Sequence, residues 1–309
     1  MKIGFAGAGG VGCYFGGMLA KGGLDVSLVV RNLNAEIMRK KGLKITENGQ
    51  DFHVRPRIID SNKSSDLKHL NDLDWIFFTC KSHQTEALAN QLIGHIGKNT
   101  QISSLQNGVD NTTLLSKIIG RPVVGGLSIR FAAHIEEPGH VNAIGKGYCL
   151  FGNFPTGCTA AVKKMIASCV QAGVDVRETE NIQRELWRKI LINNGVNPIT
   201  AILQQDSGFV LNNPMTLLVV KDLMREAARA AAADGVELNE TDIKELLSIV
   251  SRLAPIKSSM QVDIEMGREP ELEAICGAVI DRSVMIGEPA SVTNTLYRLL
   301  KTKTVSIKS

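Results

Sequence analysis

The chain opens on Lys2-Ile3-Gly4-Phe5-Ala6-Gly7-Ala8-Gly9-Gly10-Val11-Gly12, and these residues decide the fold. Ile3 to Ala6 is a short apolar run of the kind that forms a buried strand. Gly7, Gly9 and Gly12 follow at the G-x-G-x-x-G spacing, just before a helical stretch from Val11 to Lys21. In a dinucleotide-binding strand–turn–helix, the first glycine allows the tight turn and the second lets the backbone approach the pyrophosphate. The third lets helix pack on strand, and the helix N-terminus offers N–H groups to the phosphates. Gly7, Ala8, Gly9, Gly10, Val11 and Gly12 are therefore the predicted cofactor cradle.

A second apolar run, Asp25 to Val30, ends at Arg31, about 19 residues after Gly12, where the residue facing the adenosine ribose is expected. A carboxylate there would accept from a free 2′-hydroxyl and repel a 2′-phosphate. The guanidinium of Arg31 can instead hold a phosphate through a charge-assisted fork, so the predicted cofactor is NADPH/NADP+ rather than NAD.

Working outward, strands are predicted at Arg57 to Ile59, Trp75 to Thr79, Gln101 to Leu105 and Pro122 to Gly126. Helical stretches are predicted at Ala35 to Lys41, Thr85 to Ile96 and Asn111 to Ile119. This alternation predicts an α/β N-terminal domain of the Rossmann type, a doubly wound, mainly parallel sheet. Pro138-Gly139 and Gly145-Lys146-Gly147 bracket a turn-rich stretch, His140 to Gly152, read as an antiparallel edge. A helix from Thr159 to Ala172 and a strand from Asp175 to Arg177 complete the domain. Beyond about Glu178 the period becomes helical, over Asn181 to Leu203, Pro214 to Asp234, Glu240 to Ser251, Glu271 to Ile286 and Val292 to Lys301. The expected division is a cofactor domain, 1–178, followed by a mostly α-helical substrate and catalytic domain, 179–309.

At 309 residues two domains are the default. A net charge of +4, with no block of five like charges, gives no reason to expect nucleic acid or a membrane surface. The mild excess suits a small anionic ligand. Six scattered cysteines without C-x-x-C pairs read as reduced thiols, and neither a secretory leader nor a bilayer-length apolar run is recognisable, so a cytoplasmic protein is expected. The six histidines show no H-E-x-x-H or similar arrangement, so no metal site is expected.

In an open α/β sheet, ligands bind beyond the carboxyl ends of the strands. Lys81, after the strand ending at Thr79, could meet a phosphate or ribose, and Asn107, after the strand ending at Leu105, could address the reacting end. Either could also be an ordinary loop residue. Lys189, Asn193 and Asn197 recur at i, i+4 and i+8 among Leu186, Ile190, Leu191, Ile192 and Val196, a polar stripe on an apolar helix. Asparagine is a poor choice for helix stability, so the stripe suggests ligand contacts, with a solvated face as the alternative. Pro198 is expected to kink or end the helix.

Together these motifs resemble the ketopantoate reductase (2-dehydropantoate 2-reductase) family over essentially the full length. The resemblance rests on Gly7 to Gly12, Lys81 with Gln84, Gln106-Asn107-Gly108 and Glu136-Glu137-Pro138-Gly139. It continues through Glu185-Leu186-Trp187-Arg188-Lys189, Asn193, Asn197-Pro198-Ile199-Thr200-Ala201, Ser258-Ser259-Met260-Gln261-Val262-Asp263 and Gly267-Arg268-Glu269-Pro270-Glu271-Leu272-Glu273. It implies NADPH-dependent reduction of 2-dehydropantoate, a 2-oxo acid, to (R)-pantoate on the route to pantothenate, with Lys189 as proton donor. It further implies that Asn107 lies beside nicotinamide and ketone, that Asn193 and Asn197 bind the substrate's polar groups, and that Ser259 holds its carboxylate. Glu271 would orient Lys189 near the cofactor, and Gln84 and the backbone of Ala133 would contact the cofactor.

Three departures are visible. Pro270 precedes Glu271 where the family usually has threonine, which leaves open that Glu271 is one surface acid in the run with Glu269 and Glu273. Ser207 and Ile256 stand where well-known members carry asparagine, and each swap removes an amide. Such a pocket could accept a related 2-oxo acid, since discrimination at a hydroxyl depends on its hydrogen-bond partners. A reductase of another 2-oxo acid is therefore one alternative and a non-catalytic NADP(H)-binding sensor another, while a homodimer is left open.

Overall fold

The computed structural model describes residues 1–129, 132–145, 147–252 and 255–308. Lys146 of the Gly145-Lys146-Gly147 turn and Ser309, the last residue of the expected second domain, lie outside the described residues. The elements run in chain order as follows: β1 (Lys2–Ala6), α1 (Gly10–Lys21), β2 (Asp25–Val30), α2 (Asn32–Lys41), β3 (Leu43–Glu47), β4 (Gln50–Val54), β5 (Arg57–Asp60), α3 (Ser64–Leu67), β6 (Trp75–Phe78), α4 (Thr85–Leu92), β7 (Gln101–Ser104), α5 (Asn111–Ile119), β8 (Val124–Ile129), β9 (Ala132–Glu137), β10 (His140–Ile144), β11 (Tyr148–Asn153), α6 (Ala160–Gln171) and β12 (Val176–Glu178). Helices follow: α7 (Ile182–Leu203), α8 (Ser207–Asn212), α9 (Pro214–Ala231), α10 (Glu240–Ser251), α11 (Ser259–Glu265), α12 (Ala278–Met285) and α13 (Ser291–Lys308).

Among the described residues the strands form an eight-stranded sheet, β12-β11-β8-β7-β6-β1-β2-β5, and a four-stranded sheet, β4-β3-β10-β9. Every pairing in the larger sheet is parallel except β8 with β11. Central strand β6 is apolar and buried throughout, and β1 is buried after its first residue, as expected for strands covered on both faces. Ile3, Phe5 and Phe77 enter one core, and Ala6, Ile76 and Phe78 enter the other.

The turn-rich stretch departs from the expected edge. Of this stretch only β11 joins the large sheet, and β12 pairs along its other side as the edge strand, so β11 is not itself an edge. β10 pairs with β9 and, in parallel, with β3, building the small sheet with the hairpin β3–β4. The Asn48-Gly49 turn of that hairpin has φ of 49° and 83°, the paired positive values of a two-residue turn favoured by Asn-Gly.

The chain divides into two units, residues 1–106 with 111–182, and residues 107–110 with 183–309. In the second, Pro198 does not end α7, which runs on to Leu203. A proline's fixed φ is compatible with a helix, and burial of Val196, Ile199 and Ala201 holds the turn around it. The predicted helix at Glu271 to Ile286 begins instead with a π-helical turn, Glu273–Gly277, before α12.

Candidate active site

In the first unit each glycine of the fingerprint has a separate task. Gly7 has φ +82°, and a side chain there would overlap the Cβ of Cys80 and lie 2.8 Å from its backbone nitrogen. Gly12 faces Thr79, whose Oγ1 a Cβ would overlap, so the glycine lets α1 sit close to the end of β6. Gly9 is exposed, with nothing within 4 Å of a Cβ built on it, and that space is what a pyrophosphate needs. Gly10 serves packing as well, because a Cβ there would overlap the carbonyl oxygen of Ala133 in β9. Ala8 N–H donates to the Val29 carbonyl at 3.2 Å, tying the turn to β2. Val11 lies in the first turn of α1, which carries no acidic residue, so nothing opposes the positive end of the helix.

Arg31 sits exposed at the end of β2, as the N-cap of α2. Asn32 follows with φ 51°, and its N–H lies 3.4 Å from Oδ1 of Asp60, at the end of the neighbouring strand β5. Lys81 and Gln84 are half-buried beyond β6, bridged by the Gln84 N–H to Lys81 carbonyl bond of 2.8 Å. Gln106 closes the end of β7: its buried amide donates to the Cys80 carbonyl at 2.9 Å and to Thr85 Oγ1 at 2.7 Å. Gln106 is an organiser that sequence reading quoted in a motif without assigning it a task.

In the second unit Lys189, Asn193 and Asn197 lie along α7 at helical spacing, the first two half-buried and Asn197 6% exposed. The intervening Asn194 is fully buried, and its Nδ2 donates to the Leu223 carbonyl and to Thr293 Oγ1. Asn194 is thus fixed in packing, while Asn193, one residue before it, is only half-buried. Asn107 Nδ2 donates to Glu271 Oε2 at 2.8 Å, which brings together residues 164 positions apart. Glu271 is 7% exposed whereas Glu269 and Glu273 are exposed, so it is set apart from the surface acids of its run. Glu273 accepts instead from Tyr297 and Lys301.

Ser258 caps α11 by accepting from the Gln261 N–H, and its Oγ lies 2.6 Å from Thr200 Oγ1 on α7. Ser259, the first residue of α11, is exposed. Ser207 and Ile256 are mutually bonded, Ser207 N–H to the Ile256 carbonyl at 3.0 Å and Ile256 N–H to Ser207 Oγ at 3.1 Å. That leaves the Ile256 side chain exposed as an apolar group.

One network went unread in the sequence. Arg282 of α12 forks onto Asp110, with Nη1 at 3.1 Å from Oδ2 and Nη2 bonded to Oδ1, and its Nε lies 3.3 Å from both carboxylate oxygens of Asp234. Asp234 accepts also from Trp187 Nε1 at 3.0 Å. Burial works against the Arg282 charge, but Asp110 and Asp234 outweigh it and raise its pKa further. No local spacing signals a pairing across 172 positions. Among the described residues no group of three or more His, Cys, Asp or Glu could hold a metal ion, and no helix is long and apolar enough to cross a membrane.

The family model for "Ketopantoate reductase PanE/ApbA" matches residues 3–156, and the model for its C-terminal part matches residues 181–304. The 2-dehydropantoate 2-reductase of Pyrococcus horikoshii is 30% identical over 303 residues, 98% of this chain and 97% of that protein. The crystal structure of a PanE/ApbA family ketopantoate reductase from Ralstonia eutropha JMP134 is similar with a TM-score of 0.90 and 28% identity, covering 100% of both chains. A ternary structure of D-mandelate dehydrogenase with NADH and anilino(oxo)acetate has a TM-score of 0.90 and 25% identity, also covering 100% of both chains.

Proposed function

The chain belongs to the ketopantoate reductase (PanE/ApbA) family, an oxidoreductase family, and we propose that it reduces 2-dehydropantoate to (R)-pantoate with NADPH, in the cytoplasm. A nicotinamide dinucleotide is the cofactor, and the open space at Gly9, the turn at Gly7 and the acid-free first turn of α1 fit its pyrophosphate. Arg31 is the candidate partner of the 2′-phosphate, because its exposed guanidinium stands where NAD-binding chains carry an acid. Lys81, Gln84 and the Ala133 backbone complete the proposed cofactor contacts.

When bound, the reduced nicotinamide supplies a hydride to the ketone carbon. Negative charge then develops on the ketone oxygen, and the Lys189 ammonium both stabilises that charge and donates the proton that completes the alcohol. The hydride and the proton together reduce the carbonyl, leaving Lys189 neutral until solvent reprotonates it. Asn193 and Asn197 would hold the substrate's polar groups and Ser259 its carboxylate. Asn107 and Glu271 would orient nicotinamide, ketone and Lys189. The observation that carries this reading is the Asn107–Glu271 bond, since it unites two of the three proposed catalytic residues across 164 positions.

A second reading is favoured by the exposed, apolar Ile256 and by the likeness to D-mandelate dehydrogenase: reduction of a 2-oxo acid with a larger apolar substituent. Initial rates of NADPH oxidation with 2-dehydropantoate, 2-oxoisovalerate, phenylglyoxylate and pyruvate, with NADH as control, separate the two. Our reading expects kcat/KM for 2-dehydropantoate to exceed the others by at least about tenfold. It also expects Arg31→Ala to raise KM for NADPH by about tenfold while leaving NADH unaffected. A preference for phenylglyoxylate would favour the second reading, and turnover of none of the four would refute both.

A further inference from the structure

The segment Asn107–Asp110 belongs to the helical unit although it begins three positions after the last residue of β7. Side-chain bonds attach it there at each end: Asn107 Nδ2 to Glu271, and Asp110 to the fork of Arg282. Between them Gly108 has φ +96° and Val109 is buried, so the segment is a tight turn with one apolar anchor. The Asn107–Glu271 bond holds the turn at one end. The bidentate Asp110–Arg282 attachment three residues on limits rotation of the turn about that end.

Arg282 is itself held. Its Nε is shared between the two oxygens of Asp234, which accepts also from the indole of Trp187, a fully buried residue two positions before Lys189 on α7. The Arg282 guanidinium lies 5.9 Å from the Trp187 ring centre. An unbroken chain of contacts therefore runs from the helix that carries Lys189, through Trp187, Asp234 and Arg282, to Asp110. Asp110 itself is half exposed, whereas the Arg282 side chain it meets is mostly buried.

We propose that Arg282 and Asp110 are positioning residues that fix the Asn107 turn to the Lys189 helix, so that Asn107 and Lys189 keep a set geometry for the reacting ketone. This rests on the roles proposed above for Asn107 and Lys189. A loss of set geometry acts on the rate of the chemical step more than on cofactor binding, which the pyrophosphate and ribose contacts dominate.

The test is a double-mutant cycle with Asp110→Ala, Arg282→Gln and both together in the full chain. Each single variant is expected to lower kcat with NADPH and 2-dehydropantoate roughly 10- to 100-fold. The NADPH dissociation constant should move less than about threefold, and the double variant should be no slower than the slower single one. A purely structural role would lower the melting temperature instead. Asp110→Ala keeps the Arg282–Asp234–Trp187 bonds and should melt close to the wild type. Amide hydrogen exchange over residues 106–112, which needs no substrate, should speed up in both single variants. Unchanged exchange, a kcat for Asp110→Ala within twofold of wild type, or additive losses in the double variant would each overturn the proposal. If the wild-type protein does not turn over 2-dehydropantoate, the catalytic reading fails, while exchange still decides whether the turn is clamped.

Discussion

The two units arrange their candidate sites by different physical means. In the first, the proposed cofactor cradle is a matter of backbone: a positive φ at Gly7, empty space at Gly9 and a close helix–strand approach at Gly12, all within six residues. In the second, side-chain bonds join residues far apart in sequence, Asn107 with Glu271, Asp110 with Arg282, and Thr200 with Ser258. A backbone cradle is fixed by local sterics and tolerates almost no side chain. A side-chain network is fixed by tertiary packing and can be dismantled bond by bond.

The sharpest way to break this comparison is within the glycine loop. Gly7→Ala puts a non-glycine residue at φ +82° against Cys80, and should cost about 1–3 kcal/mol of stability before any backbone shift, read as a lower midpoint in chemical denaturation. Gly9→Ala meets nothing in the protein, so its stability should stay within about 0.5 kcal/mol of wild type. Its NADPH affinity should nonetheless fall at least about tenfold, because the backbone can no longer approach the pyrophosphate. Normal NADPH binding by Gly9→Ala would show that the loop is not the cradle.

The helical unit offers an effect of the opposite kind, on stability alone. Both oxygens of buried Glu226 on α9 cap α13 from outside, accepting the N–H groups of Val292 at 2.9 Å and Thr293 at 2.7 Å. Glu226→Ala leaves those two donors unpaired and should lower stability by about 1–3 kcal/mol in thermal or denaturant unfolding, with NADPH affinity unchanged. A change in NADPH affinity with no loss of stability would contradict the division of labour between the units.

The smallest expected effect depends on pH. Burial opposes the charge on Asp242, but the Asn239 N–H and the Arg184 guanidinium outweigh it and hold the carboxyl below its ordinary range. A depressed folded-state pKa stabilises the fold above the unfolded value, near 4, and that contribution is lost as pH falls through the folded value. Melting temperature should therefore drop on acidification below about pH 4, and the drop should be shallower in Arg184→Ala. An equal pH dependence in the variant would remove Arg184 from the account.

What could be read from the sequence follows the same contrast. The strand–turn–helix at residues 2–21 was legible because its signals are local. The Asn48-Gly49 hairpin carried an equally local signal, but the sheet it joins needs β9 and β10 from about 90 residues on, and no spacing announces that partnership. The Lys189, Asn193 and Asn197 stripe stood out because polar residues interrupt an apolar helix. Asp110 and Arg282 are ordinary charged residues in their own surroundings, and only tertiary contact distinguishes them.

The central claim is that Lys189 serves the chemical step while the glycine loop serves binding. Its most direct test is Lys189→Ala, assayed for kcat with NADPH and 2-dehydropantoate and, separately, for its NADPH dissociation constant. The account predicts a fall in kcat of about 10²- to 10⁴-fold with NADPH affinity within about threefold of wild type. Undiminished turnover in Lys189→Ala would contradict it.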